Sequence, residues 1–502
     1  MPSQAFKQRI REQGLLGKVT SPEKAAKLVK NGMTLGIGTG NSIACPKTFF
    51  TALAEELRGK SKVTLFTGGP APDEVDGFLA QANAYQRRFG QFASVELLKL
   101  ANNRNIPVID TRTGILPHQV KDGRFGKIDI AAIEATAFTE AGYIIPSTSI
   151  LDSSSYAMIA DKVIVEINTE IPEELEGIHD VYVPEVPPNR KPIPLVSCSD
   201  RIGTPYIPVK PDRIAAIIES NIPDSPPSKT PVDEESRRIA AELLDFLKSE
   251  VKKNRLPPHL LPIQLGIGSV PEALAAELAK SSFNNIEFFT GTFGDGGLDL
   301  IDTGKAKVLS TGSMYLSKDG FHRFYRDLGR YKSHIIIRPI VLSDCPELIA
   351  RLGVIAINGA IEVDIYGHVN CTHIQGSRIM SGIGGSSDFL CNAYLSIIVL
   401  RSTSRGGAIS CIVPMVTHVD QTEHVIDVIV SEQGLADLRG LAPVERAKVI
   451  IANCVHPRYK PILNDYLNEA IKTRGGHEPH MLEKAFSMHI NFARSKTMLP
   501  NY

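Results

Sequence analysis

Met33-Thr-Leu-Gly-Ile-Gly-Thr-Gly-Asn-Ser42 is the stretch on which the fold is read. Met33 to Ile37 has the apolar composition of a buried strand, and Gly36 to Ser42 leaves it as a glycine loop. Such a loop directly after a strand turns backbone N–H groups outward, where they hold phosphate. The dinucleotide fingerprint G-x-G-x-x-G is incomplete, because Asn41 stands where its last glycine belongs. Upstream, residues 21–31 (SPEKAAKLVKN) read as a short helix capped by Ser21, with Pro22 in its first position and Gly32 after its end.

The same grammar recurs along the chain. The strand-like runs Val63–Phe66, Ile128–Ile133 and Val163–Ile167 each lead into a helix-like segment. Gln264-Leu-Gly-Ile-Gly-Ser-Val270 repeats the strand and glycine pattern ahead of a helix predicted over 271–280. This alternation predicts an α/β fold of two related halves, each a mainly parallel sheet with flanking helices. Four prolines in NIPDSPPSKTPVD (221–233) mark a linker, and a long amphipathic helix is predicted from Glu234 to Lys253. The expected division is therefore an N-terminal domain over 1–222, a linker over 223–233 and a C-terminal domain over 234–502.

Lys and Arg total 55 against 55 Asp and Glu, and no basic cluster is interleaved with aromatics, so nucleic-acid binding has no support. The seven cysteines are scattered and never paired as C-x-x-C, which points to free thiols in a reducing compartment and away from zinc. No apolar run approaches the ~20 residues of a membrane span. The N-terminal MPSQAFKQRIREQGLLGK is basic and partly amphipathic, though it carries Glu12. It reads as a mitochondrial address, with the cytoplasm as the alternative, or simply as a first helix.

Arg351 to Phe389 holds the densest chemistry. Its apolar run Val354–Ile357 is followed by an alternating strand or hairpin arm over Ile361–Tyr366, and it closes on Gly382-Ile-Gly-Gly-Ser-Ser-Asp388. Three glycines in four positions let backbone amides bind a phosphate or an oxyanion, although a tight turn has the same composition. Glu432 follows the strand-like run Val425–Val430, at the edge where α/β folds place sites, and also fits a helix-start acid. His179 reads as a base or as a structural histidine. His418 and His424 flank Asp420 and Glu423 with no fixed geometry. Neither G-x-S-x-G nor H-E-x-x-H occurs, so serine-hydrolase and zinc-protease readings lose support.

Several of these segments, in order, resemble the acetyl-CoA hydrolase/CoA-transferase family, which includes fungal acetyl-CoA hydrolases and bacterial acetate CoA-transferases. The resemblance is carried by Glu134-Ala-Thr-Ala137, Val163–Asn168, Glu176–Asp180, Asn254–Pro258, Arg351–Ala356, Gly382–Asp388, Ile412–Met415, His418–His424 and Glu432–Leu441. It implies two CoA-transferase-type domains with a CoA thioester between them, held mostly by the C-terminal half. On that resemblance Gln264, Gly266, Gly268, Ser269, Gly385 and Arg405 bind CoA, and Gly384, Gly385 and Glu432 belong to the catalytic set. CoA enters as the thioester substrate, with no permanently bound cofactor. The expected partners are an acyl-CoA and a carboxylate, with no nucleic acid or membrane, in a homodimer.

The sequence also departs from that family. Where the pattern Thr-Glu-Val-x-Gln-Asp carries an attacking glutamate, Phe289-Thr-Gly-Thr-Phe-Gly-Asp295 has Gly291. Asp344, in Leu342-Ser-Asp-Cys-Pro346, stands where relatives have asparagine. Glu287 and Asp295 each lie four residues from Gly291, about 13 Å along a strand, too far to replace the glutamate. A glutamate restored at 291 is expected to raise transferase activity. The implied function is hydrolysis or transfer of short acyl groups (acetyl-, propionyl-, succinyl-CoA). The alternatives are a non-catalytic CoA-binding relative and, from Gly36–Ser42 resembling the phosphate loop of ribose-5-phosphate isomerases, a sugar-phosphate isomerase-like activity.

Overall fold

The computed structural model describes residues 2–500 apart from Asn41, Ser225, Pro227, Lys229 and Thr230. The last glycine-loop position at Asn41 and these four positions of the proline-rich segment thus lie outside the described residues. The chain divides into two compact units. One comprises Met1–Lys229, Glu287–Leu352 and Ser381–Asp388; the other comprises Thr230–Ile286, Gly353–Met380 and Phe389–Tyr502.

The first unit is built on eight strands: β1 (Thr34–Ile37), β2 (Val63–Phe66), β3 (Tyr85–Phe89), β4 (Val108–Ile109), β5 (Ile130–Phe138), β6 (Ile144–Pro146), β7 (Lys162–Asn168) and β8 (Ile214–Ser220). They run in the order β4-β3-β2-β1-β5-β7-β8, parallel throughout, with β6 antiparallel on β5. All nine residues of β5 and all but the first of β7 are buried. Their near-continuous apolar runs suit central strands of a sheet covered on both faces. The predicted strand over 128–133 is thus the start of a longer one, because the small residues Ala135 and Ala137 carry the run onward. The predicted helix over 21–31 is shorter, Pro22–Ala26, with Ser21 Oγ accepting the Lys24 N–H at 3.3 Å.

Segments beyond the proline-rich stretch join this unit. Ala306–Met314 pairs in parallel with Ile335–Ile337, and the strand Ile286–Phe293 lies beside it, all but its first residue within the unit. The fully buried ion pair of Arg338 with Asp180 ties these strands to the N-terminal half. Arg338 also donates to Ser310 Oγ at 2.7 Å and to the Cys198 carbonyl at 3.1 Å. Bridges between Ser149 and Ser313, Leu151 and Pro339, and His179 and Ile337 continue the seam. Contacts therefore group the chain differently from a single cut at 223–233, since periodicity along a chain does not reveal which later strand returns to an earlier body.

The second unit aligns Ile263–Leu265, Ile355–Gly359, Leu395–Val399 and Val428–Ser431 in parallel, with Gly434–Asp437 antiparallel at the edge. Its long helix spans Glu234–Lys252, close to the predicted bounds, and Asp233 Oδ1 caps it by accepting the Ser236 N–H at 2.9 Å. The predicted hairpin arm over 361–366 is the strand Glu362–Asp364, antiparallel to Val369–Asn370. No helix among the described residues is long and apolar enough to cross a membrane.

Candidate active site

In the first unit a buried carboxylate sits among glycines. Asp344 ends the short helix Ile340–Ser343 and is 3% exposed. Its Oδ1 accepts the Ser343 hydroxyl at 2.9 Å and its Oδ2 the Thr113 hydroxyl at 3.1 Å. A Cβ built on Gly291 would stand 2.8 Å from Asp344 Oδ1, and one on Gly385 would stand 2.3 Å from Oδ2. A Cβ on Gly114 would lie 2.4 Å from the Asp344 carbonyl oxygen. Glycine at 114, 291 and 385 is thus the condition for Asp344 to lie where it does.

The loop of Gly382–Asp388 is pinned by residues 110–114. Ile383 donates to Asp110 Oδ1 at 3.0 Å, the Gly384 carbonyl accepts the Thr113 N–H at 3.1 Å, and Asp388 Oδ2 accepts the Gly114 N–H at 2.9 Å. Gly384 has φ +60°, a conformation that favours glycine. The N–H groups of Gly384 and Gly385 make no hydrogen bond among the described residues, so the loop presents them as donors.

Asp344 and the two acids that its charge raises, Asp388 and Asp152, are shifted toward neutrality, as are Glu134 and Glu166 elsewhere in this unit. Burial pushes Asp344 up to about 6 against its two hydroxyl donors. Burial, then the charge of Asp344, pushes Asp388 to about 7. Asp152, at the start of the helix Ser153–Ile159, is pushed by burial to about 8; the Gly68 amide opposes the shift and the charge of Asp344 adds to it. Raised carboxyls set among glycines single out this region as a candidate site.

The remaining sequence candidates lie in the second unit. Gln264 is buried with its amide committed: Oε1 accepts the Ile357 N–H at 3.1 Å and Asn358 Nδ2 at 2.9 Å. Gly266 donates to the Ile357 carbonyl at 3.2 Å. Gly268, at φ +133°, begins the helix Ser269–Lys280, and Ser269 Oγ accepts the Ser236 hydroxyl at 2.8 Å. Arg405 is exposed, with its guanidinium 5.6 Å from the Phe492 ring centre. Glu432 sits in the turn between Val428–Ser431 and Gly434–Asp437, so the helix-start reading does not apply. Its carboxylate accepts the Ser402 N–H at 2.8 Å, the Ser402 hydroxyl and Gln433 Nε2 at 2.9 Å. Burial raises it, but those donors outweigh burial and hold it below its ordinary value.

Glu432 and the Gly384–Gly385 loop therefore belong to different units, whereas Gly291, Asp344 and Gly385 converge in one. Asp152 was absent from the sequence candidates, and Asp388 entered them only as the last residue of a quoted loop. Asp152 follows an ordinary apolar run and becomes notable only beside Gly68, where a Cβ would stand 1.9 Å from its Oδ2. A buried cluster of Lys47 with Glu134 (3.0 Å) and Asp224 (2.8 Å) was likewise not singled out. His179 is structural: its Nε2 lies 2.7 Å from the Ser147 carbonyl, and burial lowers it to about 4. His418 lies 3.2 Å from Asp420, and His424 is exposed.

The two units have the architecture of α/β CoA-transferases. RipA from Yersinia pestis superposes with a TM-score of 0.72 at 21% identity, covering 92% of this chain and 98% of that one. 4-Hydroxybutyrate CoA-transferase from Porphyromonas gingivalis gives 0.63 at 20%, covering 91% and 99%. Residues 3–219 match the acetyl-CoA hydrolase/transferase N-terminal domain and residues 320–467 the C-terminal domain. The succinyl-CoA:acetate CoA-transferase of Clostridium kluyveri is 44% identical over 493 residues, 98% of this chain and 92% of that protein. The acetyl-CoA hydrolase of Candida glabrata is 42% identical over 516 residues, 99% and 98%. The chain belongs to the acetyl-CoA hydrolase/transferase family.

Proposed function

We propose that the protein is an enzyme that hydrolyses short acyl-CoA thioesters or transfers their CoA to a carboxylate. The observation carrying this reading is the Gly384–Gly385 loop, whose N–H groups make no hydrogen bond among the described residues and whose Gly385 packs against the buried carboxylate of Asp344. Two amides of that kind stabilise the oxyanion formed when a thioester carbonyl is attacked. Relatives that carry hydrolase and transferase names over nearly the full length favour an enzyme over a non-catalytic CoA-binding relative. The isomerase-like alternative rests on Gly36–Ser42 alone and has no comparable support.

In the second unit, Gly266, Gly268 and Ser269 make up the segment we assign to CoA, with the helix N-terminus favouring its phosphates. Gln264 acts there by holding Asn358 and the 357 backbone. Arg405 adds an exposed cation, and Glu432 orders the Ser402 turn. A homodimer and a mitochondrial setting belong to the same proposal; the former rests on the family resemblance and the latter on the basic N-terminal segment.

The test is purified protein with acetyl-, propionyl- and succinyl-CoA, with and without acetate or succinate. Release of free CoA without an acceptor identifies a hydrolase, and acceptor-dependent acyl exchange identifies a transferase. Neither reaction with any of the thioesters would overturn the proposal.

A further inference from the structure

Resting on the acyl-CoA reading, we infer that Asp344 is the carboxylate that attacks the thioester, its side chain taking the space that Gly291 leaves empty. Three observations converge on it. Gly291 offers no functional group, yet its missing Cβ would stand 2.8 Å from Asp344 Oδ1, so the carboxylate lies within reach of anything a side chain at 291 contacts. Gly385 crowds the other oxygen, with its Cβ position 2.3 Å from Oδ2, which sets the carboxylate directly against the loop that presents amide donors. Ser343 and Thr113 each donate one hydroxyl to it, which fixes its orientation.

The neighbouring acids are spent elsewhere. Glu287 pairs with Lys307 at 2.6 Å, Asp295 Oδ1 accepts the Ser317 N–H at 3.1 Å, and Asp388 holds the Gly114 N–H. Of Asp344, Asp388 and Asp152, Asp344 also titrates lowest, so it is the one mostly ionised at pH 7.

An Oδ atom of Asp344 bonds to the thioester carbonyl carbon, the C–S bond breaks, and CoA leaves as thiolate, giving an acyl-aspartyl anhydride. Water then attacks the aspartyl carbonyl of the anhydride, the acyl carboxylate leaves, and two protons are released, one taken by the CoA thiolate and one by solvent. In the transfer reaction the CoA thiolate instead attacks the aspartyl carbonyl and the acyl carboxylate leaves. The acceptor carboxylate then attacks the aspartyl thioester, CoA leaves as thiolate and attacks the acceptor's carbonyl in the new anhydride, and Asp344 leaves as carboxylate.

The experiment is prolonged turnover of acetyl-CoA by the full chain in ¹⁸O-water, followed by peptide mapping of carboxylate oxygens. Label at Asp344 is expected, because water attacking the aspartyl carbonyl leaves its oxygen there, and a carboxylate acting only as base or support takes up none. Asp344→Asn and Asp344→Ala should each cut turnover by about 10³-fold or more, with CoA still binding. Turnover with label at another carboxylate, or at none, overturns the assignment of Asp344 and leaves the acyl-CoA reading standing. No turnover at all by the unaltered protein overturns the acyl-CoA reading itself, and this assignment with it.

Discussion

Asp344 and Asp388 are held by successive residues: the Thr113 hydroxyl donates to Asp344 Oδ2 at 3.1 Å, and the Gly114 N–H donates to Asp388 Oδ2 at 2.9 Å. One short segment thereby sets the spacing of two buried acids whose charges oppose each other. Burial raises Asp344 to about 6, and the Thr113 hydroxyl works against that rise by stabilising the charged form. If ionised Asp344 is the reactive form, kcat/KM should climb with pH through an apparent pKa near 6 and level off above it. Thr113→Val removes one donor to the carboxylate and should move that midpoint upward by about one unit. A pH–rate profile of the two proteins checks both the midpoint and its direction of movement.

Gly291 carries a second prediction, in which the structure reverses a sign. From sequence alone a glutamate at 291 is expected to raise transferase activity. In the fold its Cβ would meet Asp344 Oδ1 at 2.8 Å and bring a second acid against a buried one. Gly291→Glu should therefore lower both activity and stability. Gly291→Ala should cost about 1–3 kcal/mol by overpacking alone. In an Asp344→Ala background much of that cost should vanish, a coupling of about 0.5–3 kcal/mol in a double-mutant cycle followed by urea unfolding.

Legibility of the fold in the sequence followed the physics of each element. Val63–Phe66, the helix from Glu234 and the hairpin arm at 362–364 were readable because their signals are local: an apolar run, an amphipathic period and a strand-like alternation. The glycine loop at 382–385 was readable as a loop for the same reason. Asp152 was not, because what sets it apart is Gly68, 84 positions away, pressed against its carboxylate. Nor was the return of Glu287–Leu352 to the N-terminal body, which depends on Arg338 reaching Asp180 across 158 positions. The convergence of Gly291 and Gly385 on Asp344 is likewise tertiary.

Asp152 should make stability fall as pH rises. Its carboxyl is raised from an ordinary 3.8 to about 8, so the folded state keeps a proton that the unfolded chain gives up. This contribution is fully present below pH 3.8 and is lost progressively up to about pH 8. Asp152→Asn keeps the shape without the titration. The variant should show a flatter dependence of Tm on pH between 5 and 8, and a gain over the parent that is largest at pH 8. Equal slopes for the two proteins would show that Asp152 is not the group responsible.

Arg338 and Asp180 supply the last prediction. Both side chains are buried, and each is satisfied beyond the other: Arg338 by Ser310 and the Cys198 and Asp200 carbonyls, Asp180 Oδ1 by the Ile202 and Gly203 N–H groups at 3.0 and 2.7 Å. Removing one partner leaves a buried charge without compensation, which costs about 3–5 kcal/mol. Arg338→Met should therefore lose stability on that scale. Arg338→Lys should also fall well short of the parent, because one ammonium cannot reproduce the guanidinium fork that spans a hydroxyl, a carboxylate and two carbonyls. Asp180→Asn retains an acceptor for the Ile202 and Gly203 amides but strips the buried guanidinium of its counter-charge, and should lose stability on the same scale as Arg338→Met. Urea unfolding of the three variants measures these losses, and a tolerated Arg338→Met would show that the seam between Asp180 and the strand Ile335–Ile337 holds without the ion pair.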